Sequence, residues 1–323
     1  IKIRQNTKDF RYEYEFCCGV VSNIEDQETY TFEQMLTNVM FALAQSKEVS
    51  SENICFFDEE VHKKKEFENF IESNMQQALD SQRFEMVLQP KMDLQTNSVI
   101  AAEALVRWRL EDGTYLPPSS FVDIFEKNRF CSKLDFYMLK KAILQIREWI
   151  DMGMEPVNIS VNQSKIVFYH ENYISELKSL LEEYNVSGSY ITLEVLESTV
   201  IEDIDMFNSI LTEVKKLGFS VSLDDFGSGY SSLNVLSKLQ IDELKIDRIF
   251  LHTKSEVDNQ RTKWILESII EIAKKSQILV VVEGVESKQD DLFIKSLGAD
   301  VGQGYFYGRP LSISAFNDLI ETK

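Results

Sequence analysis

Cysteine is scarce in this 323-residue chain, and the four present (Cys17, Cys18, Cys55 and Cys131) show no CxxC spacing. That pattern excludes a disulfide scaffold and a cysteine-built zinc site, and it leads us to expect reduced thiols in a cytoplasmic compartment. Histidine is scarcer still. His62, His170 and His252 all fall in segments with helical or loop patterning, which leaves no histidine-rich metal site and no histidine beside a serine or cysteine nucleophile. Basic residues are outnumbered 34 to 53, a formal charge of −19. A chain this acidic excludes long nucleic acid as a partner, because phosphate contact needs a basic surface. A small phosphorylated ligand stays compatible if cations screen the carboxylates locally. No apolar run approaches the roughly 18 residues needed to span a bilayer, and no signal peptide is apparent. The sequence begins at Ile1 rather than methionine, so an upstream sensor or membrane segment is left open.

What is present reads as a globular protein, 44% hydrophobic and 27% charged, long enough for one large domain and a small one. Residues 1–60 form the small piece: "YEYEFCCGVVS" is β-rich, "TFEQMLTNVMFALAQSKE" has helical periodicity opened by a cap at Thr31, and "ENICFFD" is a short strand. Residues 61–82 turn from charged to amphipathic and predict a helical connector. From 83 to 323, apolar runs alternate with amphipathic helices. The runs are "FEMVLQP", "VIAAEALVRW", "PVNISVNQS", "YITLEVLES", "SVSLDDFG", "ELKIDRIF", "ILVVVEGVE" and "ADVGQGYF". Eight such strands predict a (β/α)8 barrel. The first two are joined only by "KMDLQTNS", too short for a crossover helix, so the first strand should run antiparallel.

In a parallel barrel, chemistry sits at the C-terminal strand ends. Those ends carry Glu103, Asn162, Glu194, Asp224 with Asp225, Lys245, Glu283 and Gln303, where a packed core would carry Val, Ile or Leu. A single buried carboxylate is compatible with a structural role. Five converging on one mouth repel one another too strongly to persist without cations. Oxygen-only donors favour a hard ion such as Mg²⁺ or Mn²⁺ over zinc. With no protein nucleophile available, the chemistry that remains is metal-activated water. The adjacent Asp224 and Asp225 can each serve one of two cations.

Seven motifs then fall in one order: "EALVRW" (103–108), "SVNQS" (160–164), "LEVLES" (193–198), "DDFGSGYSSL" (224–233), "LKIDRIF" (244–250), "VVEGVES" (281–287) and "GQGYFYGRPL" (302–311). Together they resemble the EAL-domain family of bacterial phosphodiesterases, which linearise cyclic di-GMP to 5′-pGpG. The resemblance covers about residues 68–323 and implies a barrel with an antiparallel first strand. It implies Glu103, Asn162, Glu194 and Asp224 as ligands of one metal, and Asp225 and Glu283 as ligands of a second that shares Asp224. It implies Lys245 as the lysine beside the attacking water or the phosphate, a role compatible with a plain salt-bridge partner. Gln303 resembles the glutamine that holds metal-bound water. Gln89 and Arg107 resemble substrate contacts, the planar guanidinium of Arg107 suiting a phosphate oxygen. Tyr305 is read either as lining the same pocket or as a strand aromatic used for packing. Glu197, Gly227, Ser228 and Gly229 resemble the loop that couples the metal site to a homodimer, with Glu286 either supporting that end of the barrel or simply solvated. Leu196 departs from the family's E-x-T-E pattern and removes a hydroxyl beside that loop.

Residues 1–60 resemble the C-terminal half of a GGDEF domain, with Met40 and Ser46 at positions where that family typically has Asp and Ala, and without its signature loop. Cyclase activity is therefore not expected. The leading expectation is an active cyclic di-GMP phosphodiesterase using two Mg²⁺ or Mn²⁺ ions. The alternatives are a barrel that binds the nucleotide as a sensor without hydrolysing it, and a lyase of the enolase type.

Overall fold

The structure is a computed structural model that describes residues 2–6, 11–22, 31–48, 53–200, 204–227, 236, 238–251 and 256–321. Two compact units are present, residues 1–75 and 76–323. In the first, β1 (Lys2–Asn6) and β2 (Arg11–Glu15) form an antiparallel hairpin. The partner strand β1 was not foreseen from the sequence. A parallel pair, β3 (Cys18–Val20) and β4 (Ile54–Phe56), flanks α1 (Phe32–Glu48). Thr31 caps α1 as its spacing predicts: its Oγ1 accepts from the Gln34 amide at 3.3 Å while Gln34 Oε1 accepts from the Thr31 amide at 2.8 Å. The helix α2 (Glu59–Asp80) follows.

The second unit is a closed barrel. Its strands are β5 (Phe84–Asp93), β6 (Ser98–Arg109), β8 (Asn158–Asn162), β9 (Ile191–Leu196), β10 (Ser220–Phe226), β11 (Glu243–Ile246), β12 (Leu279–Val282) and β13 (Val301–Gln303), with the two-residue β7 (Tyr115–Leu116) added to the outside of β6. From β6 through β13 the ladder is parallel. β5 closes the ring, antiparallel to both β6 and β13. The short link between β5 and β6 permits no other arrangement, so the expectation of a modified (β/α)8 barrel holds. Amphipathic helices cover the outside. They include α3 (Cys131–Asp151), α4 (Tyr173–Tyr184), α5 (Ile204–Lys216), α6 (Glu256–Lys275), α7 (Lys288–Ser296) and α8 (Ile313–Glu321).

The later strands are shorter than their apolar runs suggest, for a local reason in each case. "ELKIDRIF" stops at Ile246 because Asp247 caps a 3₁₀ turn, its Oδ1 accepting from the Ile249 amide at 2.7 Å. "ILVVVEGVE" stops at Val282, just before Gly284 turns into the left-handed region at φ +66°. An aromatic cluster of Phe84, Trp108, Phe121 and Phe125 packs on the outer face where β5 and β6 pair, with ring centroids 5.1–6.0 Å apart. It anchors the strand pair that carries Gln89 and Glu103.

Candidate active site

Gln89 lies directly opposite Glu103 across the β5–β6 ladder, so both side chains enter the barrel at one level. Round the ring, β8 ends on Asn162, β9 carries Glu194, β10 carries Asp224 and Asp225, β11 carries Lys245, Glu283 follows β12 directly, and β13 ends on Gln303. These side chains meet. Gln89, Glu103, Asp224, Asp225, Lys245, Glu283, Gln303 and Tyr305 all line one mouth of about 330 Å³, joined by Glu286 and by Arg248, which the sequence reading passed over.

The adjacent aspartates share the mouth because β10 is irregular there. In a regular strand successive side chains point to opposite faces, and one of the two would face outward. The pairing of β10 with β11 slips between Leu223 and Phe226, and Asp225 takes φ +55°, a left-handed conformation that a non-glycine residue adopts at a cost. The Asp225 amide also donates to Asp224 Oδ1 at 2.8 Å. One carboxylate oxygen from each of Asp224, Asp225 and Glu283 can be chosen so that all lie within 4.8 Å of one another, a spacing that suits a shared cation.

Lys245, 1% exposed, reaches Glu283 at 2.7 Å, Glu194 at 2.8 Å, Asp224 at 3.0 Å and Glu103 at 3.4 Å. Asn162 Nδ2 donates to Glu103 Oε1 at 3.0 Å, and Gln303 Nε2 donates to Glu103 Oε2. Buried Gln303 Oε1 has no partner among the described residues, leaving one acceptor free at the mouth.

Sequence reasoning missed two residues deeper in the barrel. Lys91, on the same face of β5 as Gln89, is 1% exposed and donates to Ser160 Oγ at 2.7 Å, Glu194 Oε1 at 2.8 Å and Glu243 Oε1 at 2.8 Å. Glu243 opens β11. The available signal was a lysine at inward-facing period two past Gln89 in an otherwise buried strand. Lys91 lies just beyond the apolar run "FEMVLQP", and a position outside the run does not mark a side chain as interior.

The charges do not balance. Six carboxylates (Glu103, Glu194, Asp224, Asp225, Glu243 and Glu283) share the interior with two ammonium groups, Lys91 and Lys245, and Arg248 lines the mouth, so carboxylates outnumber the cationic groups. The titrations respond accordingly. Burial raises the Glu194 carboxyl, but Lys245 and then Lys91 outweigh it and hold Glu194 down at about 2. Burial wins at Glu283, reinforced by Glu103 and Glu194 against Lys245, and pushes it up to about 7. Asp224 is driven well above its ordinary value by burial despite Lys245, and Asp225 is raised by burial and by Asp247. Oxygen donors with a net negative excess and a free amide oxygen fit hard divalent cations.

A wedge sets the spacing of the two carboxylate-bearing turns. The 3₁₀ turn Arg248–Phe250 lies against Gly227, two residues after Asp225, and against Gly284, next to Glu283. A Cβ at Gly227 would run into the Phe250 ring, and one at Gly284 into Cβ of Arg248. Both glycines also have positive φ, +100° and +66°.

The remaining expected residues are placed less centrally. Arg107 is half-buried, donates to the Val106 carbonyl, and lies near Tyr305 and Glu103. Tyr305 is no packed strand aromatic. It lies beyond β13, is 54% exposed, and carries the Arg309 guanidinium over its ring at 4.4 Å. Glu197 is buried at the start of a short helix after β9, and Glu286 is exposed at the rim. Ser228, Gly229 and His252 lie outside the described residues. His62 packs edge-on to Phe41, 4.6 Å between centroids, and His170 is exposed; neither lines the mouth.

Beside the mouth, and sharing Leu105 with it, is a second cavity of about 370 Å³ with largely apolar walls that include Val122, Phe125, Met138 and Leu196. Leu196, where a threonine was expected, therefore faces this cavity. Its polar lining includes Asn162, Gln163, Glu126 and Asp135, the last accepting from the Ser164 amide at 2.8 Å and from Ser164 Oγ at 2.5 Å; burial pushes the Asp135 carboxyl up to about 7 against those bonds.

Comparison with known proteins agrees with this geometry. The cyclic di-GMP phosphodiesterase NbdA of Pseudomonas aeruginosa is 33% identical over 288 residues, covering 89% of this chain and 36% of that relative. The bifunctional diguanylate cyclase/cyclic di-GMP phosphodiesterase MucR of the same organism is 28% identical over 310 residues, 96% of this chain and 45% of MucR. The chain thus spans less than half the length of these relatives. A solved structure of the MucR phosphodiesterase in complex with c-di-GMP superposes with a TM-score of 0.70 at 32% identity, covering 76% of this chain and 99% of that one. Residues 72–310 match the EAL domain, and the chain belongs to the EAL domain family.

Proposed function

We propose that this barrel hydrolyses one phosphodiester of cyclic di-GMP to give linear 5′-pGpG, using two divalent cations, Mg²⁺ or Mn²⁺. The observation that carries the reading is the convergence of Glu103, Asp224, Asp225 and Glu283 on one mouth, a crowding of carboxylates that divalent ions would offset. The substrate class is supported by the names of the relatives above. Glu103, Asn162, Glu194 and Asp224 would hold one ion, and Asp225 and Glu283 the other, with Asp224 shared. When bound, the cations would lower the pKa of a water and offset negative charge on the phosphoryl oxygens.

The chain's own groups orient and exclude. Lys245 gathers the carboxylates and offers its ammonium to the reacting phosphate. Gln303 positions Glu103 and keeps its amide oxygen for a water, Gln89 and Tyr305 line the approach of the diester, and Arg107, half-buried near Glu103, is the guanidinium proposed to meet a phosphate oxygen. The neighbouring cavity suits an aromatic base, with apolar walls for the ring and Asp135 as an acceptor for its N–H groups.

The same reading assigns Glu197, Gly227 and Glu286, with Ser228 and Gly229, to a loop that couples the site to a homodimer. It takes residues 1–60 as a partial GGDEF-like segment without its signature loop, 61–82 as a connector and 83–323 as the phosphodiesterase, in a cytoplasmic part of the protein. No helix among the described residues is long and apolar enough to cross a membrane.

The deciding experiment incubates the purified chain with cyclic di-GMP and Mn²⁺ and separates the products. Linear pGpG is expected, reduced about 10- to 100-fold by Glu103→Gln. Tight binding without turnover would instead make the barrel a sensor, and neither binding nor turnover would end the assignment.

Cation binding should also be pH-dependent. Glu283 is raised from its ordinary 4.5 to about 7 and must lose its proton to ligate. Mn²⁺ affinity should therefore climb with pH up to about 7. Calorimetry at pH 6 in buffers of different ionisation enthalpy should show roughly one proton or more released per protein. The linkage to folding has the opposite sign. A raised carboxyl stabilises the protein alone below its unfolded value, and that stability is lost as pH rises through about 7.

A further inference from the structure

Lys91 touches none of the groups that line the mouth, yet it is one of only two ammonium groups in the described barrel interior that contact Glu194. The two lysines divide that carboxylate between them: Lys91 takes Oε1 and Lys245 takes Oε2, each at 2.8 Å. Lys245 is shared with three other carboxylates of the cluster. Lys91 is not; its other partners are Ser160 and Glu243, both below the mouth.

The reach comes from topology. Because β5 runs antiparallel, the chain descends into the barrel beyond Gln89, and its next inward side chain meets Glu194 from beneath. A glutamate held at only one oxygen can rotate about its terminal torsion, which is broad and soft. Held at both, it presents one edge.

We infer that Lys91 is a positioning residue for cation binding: it pins Oε1 of Glu194 from below, so that the Oε2 edge stays turned toward the cluster at the mouth. This rests on the two-cation reading above. The role is distinct from lining the site, since Lys91 would contact neither cation nor substrate. It is also distinct from charge neutralisation, which any cation near Glu194 and Glu243 would supply.

Three variants of the full chain separate these roles: Lys91→Met, Glu243→Gln, and the two combined. The double variant removes one charge of each sign, so the interior keeps its net charge while Glu194 loses its lower anchor. Mn²⁺ affinity is measured by titration calorimetry, thermal stability by a melt, and kcat and KM with cyclic di-GMP.

We expect Mn²⁺ binding to weaken about 10- to 100-fold in Lys91→Met and equally in the double variant. In both, kcat should fall and KM stay within about threefold, whereas Glu243→Gln should bind Mn²⁺ within about threefold of the parent. A double variant that melts normally and regains parental Mn²⁺ affinity would show that Lys91 supplies charge alone, and would overturn the inference. So would a folded Lys91→Met protein with parental affinity. If Lys91→Met does not fold, the double variant decides. A parent protein that binds no Mn²⁺ would remove the two-cation reading and this inference together, whereas a parent that binds while the variants match it removes only the role of Lys91.

Discussion

Lys245→Met should lose both stability and turnover. The ammonium lies 2.7–3.4 Å from four carboxylates and is 1% exposed. Methionine keeps the volume of the stem and removes the charge, leaving Glu103, Asp224 and Glu283 without a lysine partner among the described residues and Glu194 with Lys91 alone. Breaking a buried ion pair from one side typically costs about 3–5 kcal/mol, because the remaining charge is stranded. Proton uptake limits that cost here, since Asp224 and Glu283 are already raised by burial even beside Lys245. Urea unfolding should thus show a loss toward the lower end of the range, smaller at pH 5 than at pH 8. Saturating Mn²⁺, which binds only the folded chain, should return part of it, about 2.7 kcal/mol at a hundredfold excess over Kd. Turnover should not return with it. A donor aimed at a reacting phosphate contributes about 10²–10³-fold, and that loss should persist in the Mn²⁺-stabilised variant. Unchanged stability would mean that Lys245 is not what holds the carboxylates together.

Asp224→Asn should separate the two properties that Lys245→Met loses together. The amide is isosteric and its oxygen can still accept from the Asp225 backbone, the 2.8 Å bond that supports the irregular turn. What disappears is a buried carboxyl that burial and the neighbouring Glu283, Glu194 and Glu103 make costly to ionise. Removing it relieves repulsion, so stability should stay within about 1 kcal/mol of the parent or exceed it. Turnover should fall on the order of 10³-fold, because the carboxylate proposed to serve both cations is gone. Melting curves and product analysis on one preparation would check this. Activity within tenfold of the parent would remove Asp224 from that shared role, and a collapse of stability would make it a structural carboxylate.

The two variants differ for a reason visible in the charge pattern. The cluster is over-supplied with anions, so deleting a cation strands charge while deleting an anion relieves it. A purely structural network would be expected to be closer to balance, with both changes destabilising.

Much of the site could be read from residue order alone. Glu103, Asn162, Glu194, Lys245, Glu283 and Gln303 were legible because each interrupts an apolar run, Glu103 in mid-strand and the others near a strand end, where a packed barrel would place an aliphatic side chain. The antiparallel first strand was legible from the eight residues of "KMDLQTNS", since chain length alone forbids a crossover helix there. Tyr305 was ambiguous, because strand length decides whether it packs or lines the mouth, and the strand ends two residues earlier at Gln303. Lys91 and Glu243 were missed because depth within a barrel depends on strand direction and register, which pair residues distant in the chain.

Composition, run lengths and the order of polar residues by themselves determined the fold class and the oxygen-donor character of the site, built without histidine or cysteine among its described residues. These are local properties: period, reach and side-chain chemistry. Only the tertiary structure decided that Asp224 and Asp225 face the same way, because strand alternation opposes it and a slipped ladder with Asp225 at φ +55° overrides the alternation. Only the tertiary structure, too, brought Lys91 beneath Glu194 and left the carboxylates in excess. Charge balance is a sum over groups made neighbours by barrel closure, and no short stretch of chain contains it.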